Sequence, residues 1–352
     1  MKDTLPFLKT MLAAPGLSGY ERPILEIIQK EWELLTEEIS VSRLGSLHAL
    51  KKGDAPEPRR KILLSAHMDA IGLMVTGIKD DLIRFTEVGG IDSRILPGQL
   101  VTVHGRKDLP GMVVQPPEYL LPEGVAKGPV HMQYLYIDTG LRSDEVAENV
   151  RVGDVISFAQ APLELSGETL AGHTLDNRVS VTAVTICLEI LKRRLHSWDV
   201  WALASTQEEE TLGGAMTSSF EIKPDLAVVI DVTWAKGPGG DDWRSFPMGK
   251  GLTIVSGPNM HPVYVKKITT KADELEIPYH QEMAPRMSGT DAMAIQIVQE
   301  GIPCIVLGIP LRYMHTPVEM VSLKDIKRVG RLMAEFICDL APDFTDTIKW
   351  ED

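Results

Sequence analysis

The sequence predicts an α/β protein whose mixed, largely parallel sheet is flanked by helices and interrupted by a small β-barrel-like domain. Three observations carry this reading. Apolar strand-like runs alternate with helical patterns toward both ends of the chain, a long middle stretch holds only short β-like runs, and the closing helix has one continuous apolar stripe.

Two helices open the chain, and "SGYE" (residues 18–21) reads as a capping box for the second, "RPILEIIQKEW". "EISVSRLGSLHALKK" reads as a strand, "KKGDAPEPRRK" (residues 51–61) as an exposed turn, and "KILLSAH" as a buried strand. From about residue 73 to 165 the texture changes. Runs such as "LIRFTEVGGI", "QLVTVHGR", "PGMVVQ", "YLYIDTG" and "DVISFAQAP" are broken by Gly and Pro, with one helical candidate, "SDEVAENV". Helix and strand then alternate again: helix "DNRVSVTAVTICLEILKRR", strand "DVWALAS", strand "DLAVVID", helix "PVYVKKITTKADELEI", helix "DAMAIQIVQEG", strand "PCIVLGIP" and helix "SLKDIKRVGRLMAEFICDL". In the last helix Leu323, Ile326, Val329, Leu332, Met333, Phe336, Ile337 and Leu340 form one stripe, so Met333 and Phe336 belong to a core. Residues 1–72 and 166–352 therefore form one discontinuous domain, and residues 73–165 are inserted into it.

The 352 residues are 44% hydrophobic and 24% charged, ordinary for a globular chain, and the net charge of −13 argues against a nucleic-acid or anionic-membrane partner. Cys187, Cys304 and Cys338 lie far apart within apolar runs, which speaks for buried thiols in a reducing compartment rather than a thiolate metal site. The amphipathic N-terminus lacks the apolar core of a signal peptide, and no apolar run reaches membrane-spanning length. A cytoplasmic protein is expected.

Ligands of open α/β sheets gather at the carboxyl ends of strands. Here those ends carry His67 and Asp69, Glu208 and Glu209, Asp231, and His315, while Asp176 precedes the longest helix. Singly, each has an ordinary explanation: a core histidine, a helix N-cap for Asp176, an Asx turn for Asp231, a loop histidine for His315. Together they form a nitrogen and oxygen donor set suited to zinc or a similar first-row ion. Asp69, two residues from His67, is placed to fix that imidazole's tautomer.

"AHMDAIG", "LDNR", "QEE", "DVT", "GTDA" and "RYMHTPVE" occur in the order and approximate spacing of the tetrahedral (TET) aminopeptidases, a family also called glutamyl-aminopeptidase-like, of which some members bear the name endoglucanase M. The chain resembles that family over nearly its whole length. The resemblance implies a zinc-exopeptidase-like fold, peptide substrates, and two divalent metal ions per subunit, zinc or cobalt. It implies that Asp176 bridges the ions, with His67 and Asp231 completing one site and Glu209 and His315 the other. Glu208 is then the general base toward a water activated by the two metals, and Asp69 the orienting carboxylate. It also implies that the inserted β-domain serves dimerisation and that the chain forms a homo-oligomer, a dodecamer of dimers.

Glu210, Thr211 and Gly213 in "QEEETLGGA" depart from the family's "QEEVGLRGA", and "PRMS" before Gly289 replaces a glycine-rich run. These departures bear on the shape of the side-chain pocket and leave the preferred N-terminal residue open; Asp241 and Asp242 in "GGDDWRSF" are weak candidates for favouring basic side chains. Glu210 is expected to be solvated or to join a local salt bridge. A glycosidase, or a deacylase on the same scaffold, is the alternative activity. Sugar cleavage needs an acid and a base facing across one bond, without histidine ligands, so His67 and His315 weigh against it.

Overall fold

The computed structural model describes residues 3–122, 128–240 and 242–348. Helices α1 (Leu5–Leu12) and α2 (Arg22–Trp32) open the chain as expected. The apolar stripe Ile24, Leu25, Ile28 and Trp32 of α2 is buried, and the Trp32 indole donates to the Thr185 hydroxyl at 2.9 Å. The capping box does not form. Glu21 is itself the N-cap residue, and its carboxylate is drawn away to the backbone N–H groups of Gly19 and Gln207.

The segment read as one strand is a hairpin of β1 (Glu38–Val41) and β2 (Leu47–Lys51). Gly45 turns it with a φ of 102°, a conformation for which glycine needs no compensation. Strand β3 (Lys61–His67) follows and leads into the barrel. The barrel contains β4 (Gly72–Lys79), β5 (Leu82–Val88), β6 (Leu100–His104), β7 (Asp108–Val114), β8 (Tyr136–Asp138), α3 (Ser143–Asn149) and β9 (Val155–Phe158). The strands close in the order β4-β5-β8-β7-β6-β9, all antiparallel, around a core that includes Leu73, Val75, Ile83, Val101, Ile137 and Ile156. Strand β4 escaped the sequence reading because Gly72 and Gly77 interrupt its apolar pattern. Gly77 sits at a register shift against β5.

The chain then returns through β10 (Leu163–Leu165), β11 (Thr169–Gly172), α4 (Leu175–Leu191), β12 (Asp199–Ser205), α5 (Gly213–Ile222) and β13 (Leu226–Trp234). It continues with β14 (Leu252–Ser256), α6 (Pro262–Glu274), β15 (Tyr279–Met283), α7 (Ala292–Ile295), β16 (Cys304–Arg312), β17 (Glu319–Ser322) and α8 (Leu323–Cys338). The main sheet has eleven strands, with the path β1-β2-β12-β3-β13-β16-β17-β11-β10; β14 joins β16 and carries β15. Its centre, β12-β3-β13-β16, is parallel, and antiparallel strands extend both sides. The central strands are buried residue after residue, as a sheet covered on both faces requires.

Helix α8 buries the predicted stripe from Ile326 to Ile337 and packs on α4. The helix expected from Asp291 to Gly301 shrinks to the single turn of α7. Ile297 faces solvent, and the chain turns at Gln299 and Gly301, both with positive φ. Among the described residues no helix is long and apolar enough to cross a membrane.

Candidate metal and peptide site

Strand β3 delivers His67 to the carboxyl edge of the sheet, and the structure surrounds it with the other candidates. His67 Nε2 lies 3.2 Å from Asp176 Oδ1, 3.7 Å from Glu208 Oε2 and 3.8 Å from Asp231 Oδ1. On its other side, Nδ1 is 3.2 Å from the Asp69 backbone carbonyl oxygen and 3.4 Å from Asp69 Oδ1. Asp69 is fully buried and accepts the backbone N–H groups of Glu208 and Glu209 at 3.0 and 3.2 Å. It thus fixes the turn carrying both glutamates.

His315 comes from the loop after β16, with a φ of 62°. Its Nε2 lies 3.5 Å from Asp176 Oδ2 and 3.4 Å from Glu209 Oε2. The two oxygens of Asp176 therefore face two different imidazoles. Asp176 is not an N-cap: Thr174 holds that position, and Asp176 has non-helical backbone angles within the first turn of α4, with a cis peptide bond to Asn177. Asp231 does not end its strand either. It lies within β13, pairs with Gly308 of β16, and accepts the N–H of Val232.

Glu210 is exposed, but it does not stand free in solvent, and among the described residues it pairs with no cation. Its carboxylate accepts the N–H of Gly89, at the foot of the barrel, at 2.6 Å. Asp242 is taken by Arg244 at 2.8 Å, and Asp241 lies outside the described residues.

Three acidic residues at this edge carried no signal strong enough to be singled out. Glu319 opens β17, almost fully buried, and its two oxygens accept the backbone N–H groups of Asp176 (3.1 Å) and His315 (3.0 Å). It clips together the loops that present those ligand candidates, and only its position at the end of "HTPVE" hinted at it. Asp291 accepts the hydroxyls of Ser65 and Ser205 from beneath the sheet edge. Glu282 of β15 lines the cavity beyond Asp231.

Burial strongly opposes charge on these groups. It pushes Glu208 up to about 10 and Glu209 to about 7, and holds Asp231 and Glu319 well above the usual carboxylate range. Burial also opposes ionisation of Asp176, yet the hydrogen bonds from His315 and His67 outweigh it and hold that carboxyl below its ordinary value. The bond to Asp176 lifts His315 to about 9, and burial only partly opposes this. For His67 burial works against protonation, but Glu208, Asp176 and Asp69 raise it well above the usual imidazole range. The two imidazoles and the buried Arg178 guanidinium, which bears on Asp69 and Glu319, are too few to neutralise so many buried carboxylates.

The donors fit divalent cations. Ligand atoms of His67, Glu208 and Asp231 lie within 4.8 Å of one another, as do those of His67, Asp176 and Glu209. Glu209 Oε1 is buried without a hydrogen-bond partner. Imidazole nitrogen with carboxylate oxygen is the donor chemistry of zinc-class ions. The cluster opens into a cavity of about 460 Å³ walled by Leu212, Trp234, Met293 and Met314. A larger groove of about 790 Å³, beside Tyr20 and Leu44, holds no comparable donor cluster among the described residues.

Comparison with known proteins agrees with this architecture. The chain is 35% identical over 346 residues to a lysyl aminopeptidase from Pyrococcus furiosus, covering 96% of this chain and 98% of that protein. Its fold matches a TET aminopeptidase from the marine sediment archaeon Thaumarchaeota archaeon SCGC AB-539-E09 with a TM-score of 0.92 and 30% identity, over 97% and 98% of the two chains. It also matches the TET1 peptidase of Pyrococcus horikoshii, which assembles into a tetrahedron or a large octahedral shell, with a TM-score of 0.81 and 29% identity over 96% and 100%. The family model for M42 glutamyl aminopeptidases matches residues 45–332, and the chain belongs to that family.

Proposed function

We propose that the protein is a metal-dependent aminopeptidase that removes N-terminal residues from peptides, using two divalent ions held at the edge of the main sheet. The observation that carries this is Asp176 between two imidazoles, one carboxylate oxygen facing each. Asp176 is the shared ligand in this reading; His67 and Asp231 complete one site, and Glu209 and His315 the other. Zinc or cobalt suits these donors. When bound, such a pair supplies Lewis acidity toward the scissile carbonyl and lowers the pKa of an attacking water.

The protein's own groups do the rest. Glu208 stands beside His67, its backbone fixed by Asp69, and is the general base: bound divalent cations would offset the burial that raises its carboxyl, and the carboxylate then takes a proton from the attacking water and returns it to the departing amine. Asp69 keeps His67 Nδ1 oriented. Glu319 keeps the Asp176 and His315 loops in register. The walls around Met293, Met314 and Trp234 exclude water from the side chain of the terminal residue. Crowding of carboxylates onto imidazoles, rather than across an open cleft, favours peptide over glycoside cleavage.

Assay on aminoacyl 4-nitroanilides with metal analysis of the same sample tests the reading. Activity that tracks metal content is expected, and full activity after EDTA treatment removes the mechanism. Residues 73–165 are proposed as a domain that supplies a subunit interface, supported by the assembly of the Pyrococcus horikoshii relative. Light scattering is expected to give a homo-oligomer, and a monomer at micromolar concentration would contradict the interface without touching the chemistry. The buried, unpaired Cys187 and Cys304 fit work in a reducing cytoplasm.

A further inference from the structure

The cavity continues past the metal-ligand cluster along β13. Asp231 and Thr233 are two residues apart on that strand and project from the same face, about 6.6 Å apart at the usual strand rise. The Thr233 hydroxyl donates to Glu282 Oε1 at 3.0 Å, and the Thr253 hydroxyl donates to Glu282 Oε2 at 2.7 Å. Each oxygen retains acceptor capacity after those bonds. Among the described residues no basic side chain bears on Glu282, whose surroundings are burial and the two hydroxyls.

Strand pairing prepares this arrangement. Gly308 lies between Asp231 of β13 and Thr253 of β14, and a Cβ on it would come within 2.2 Å of Thr253 Oγ1. Its bare backbone leaves room for the hydroxyl that reaches Glu282. The same cavity is walled by the apolar groups of Leu212, Met293, Met314 and Trp234. A long aliphatic stem ending in a cation matches apolar walls that share one cavity with a buried carboxylate.

We propose that Glu282 is the specificity-determining residue and selects peptides whose N-terminal side chain is lysine or arginine, accepting the terminal N–H groups at the far end of the cavity. The proposal rests on the aminopeptidase reading above. With the α-amino group and scissile carbonyl at the ligand cluster, the four-carbon stem of lysine covers about the two strand rises from Asp231 to Thr233, whose hydroxyl is bonded to Glu282. A neutral side chain of equal length leaves Glu282 with only its two threonine hydroxyls and no opposite charge, and an N-terminal glutamate meets like charge. The acidic "GGDDW" loop is not needed, since Asp242 is already paired with Arg244.

The test compares kcat/KM of the metal-loaded protein on lysyl, arginyl, norleucyl, leucyl and glutamyl 4-nitroanilides at about pH 8, where the lysine side chain is charged. Norleucine keeps the stem and lacks the ammonium, so this arm needs no variant. Lysine and arginine are expected to exceed norleucine by about tenfold or more, with glutamate poorest. Glu282→Gln is expected to lower the lysyl and arginyl values by roughly 10–100-fold while leaving norleucyl and leucyl values within about threefold. The proposal is overturned if norleucine equals or exceeds lysine in the unaltered protein. It is equally overturned if Glu282→Gln lowers every substrate alike, which marks a structural role. Cleavage of leucyl and norleucyl substrates without preference for lysine leaves the aminopeptidase reading standing, whereas cleavage of none by the metal-loaded protein overturns both.

Discussion

Glu208→Gln is expected to lower turnover by roughly 10²–10⁴-fold, the usual scale for losing a general base, with the fold and both metal ions retained. The amide is close in size to the carboxylate and leaves the backbone bond from Glu208 to Asp69 in place, so the turn keeps its shape. What it loses is the ability to take a proton. Glu209→Gln should behave differently, weakening the site shared with His315 and lowering metal content, because Glu209 Oε1 is buried with no partner of its own. Glu210→Gln still accepts the Gly89 N–H through its amide oxygen and is expected to change turnover only modestly. Metal analysis beside steady-state kinetics separates the three. Metal loss from the Glu208 variant with full occupancy in the Glu209 variant would show the two roles to be exchanged.

Asp176→Ala is expected to empty both metal sites at once and to cost more than roughly 10³-fold in turnover, on the scale of the several kcal/mol that metal assistance supplies. The reason is geometric: Oδ1 faces His67 and Oδ2 faces His315, so one truncation removes a donor from each half. Loss should be visible without any assay of activity, as metal stoichiometry after dialysis falling below one ion per chain. Retention of two ions by this variant would remove Asp176 from its bridging place.

The site was legible in the sequence where chemistry contrasts with its surroundings. His67 closing "KILLSAH" and the glutamates following "DVWALAS" stand out because a polar donor at the end of an apolar strand has few structural uses. Asp231 was found for the same reason, although β13 runs on through "VTW", whose apolar character hid the true strand end. Glu319, Asp291 and Glu282 were not legible as site residues. Their partners lie far away in the chain, Asp176 for Glu319 and Ser65 for Asp291, and no local pattern records such pairings. In Glu282's case the half-exposed strand "YHQEM" blends with loop composition. The fold divides similarly. Long periodic helices such as α8 declared themselves, whereas the hairpin at Gly45 and the shortened α7 depend on turn geometry and tertiary packing that periodicity does not encode.

The barrel enters the chain between two segments of the main domain, yet it is not a detachable module. Gly89 is bonded to Glu210 in the turn that carries Glu208 and Glu209, and a side chain at the neighbouring Gly90 would come within 3.3 Å of the His315 ring. A minimal protein made by splicing β3 directly to β10 would keep the metal-ligand candidates but lose Asp69 and the Gly89 bond, the contacts that hold the glutamate turn. Domain shuffling that treats the barrel as an accessory would therefore disturb the turn that carries Glu208 and Glu209.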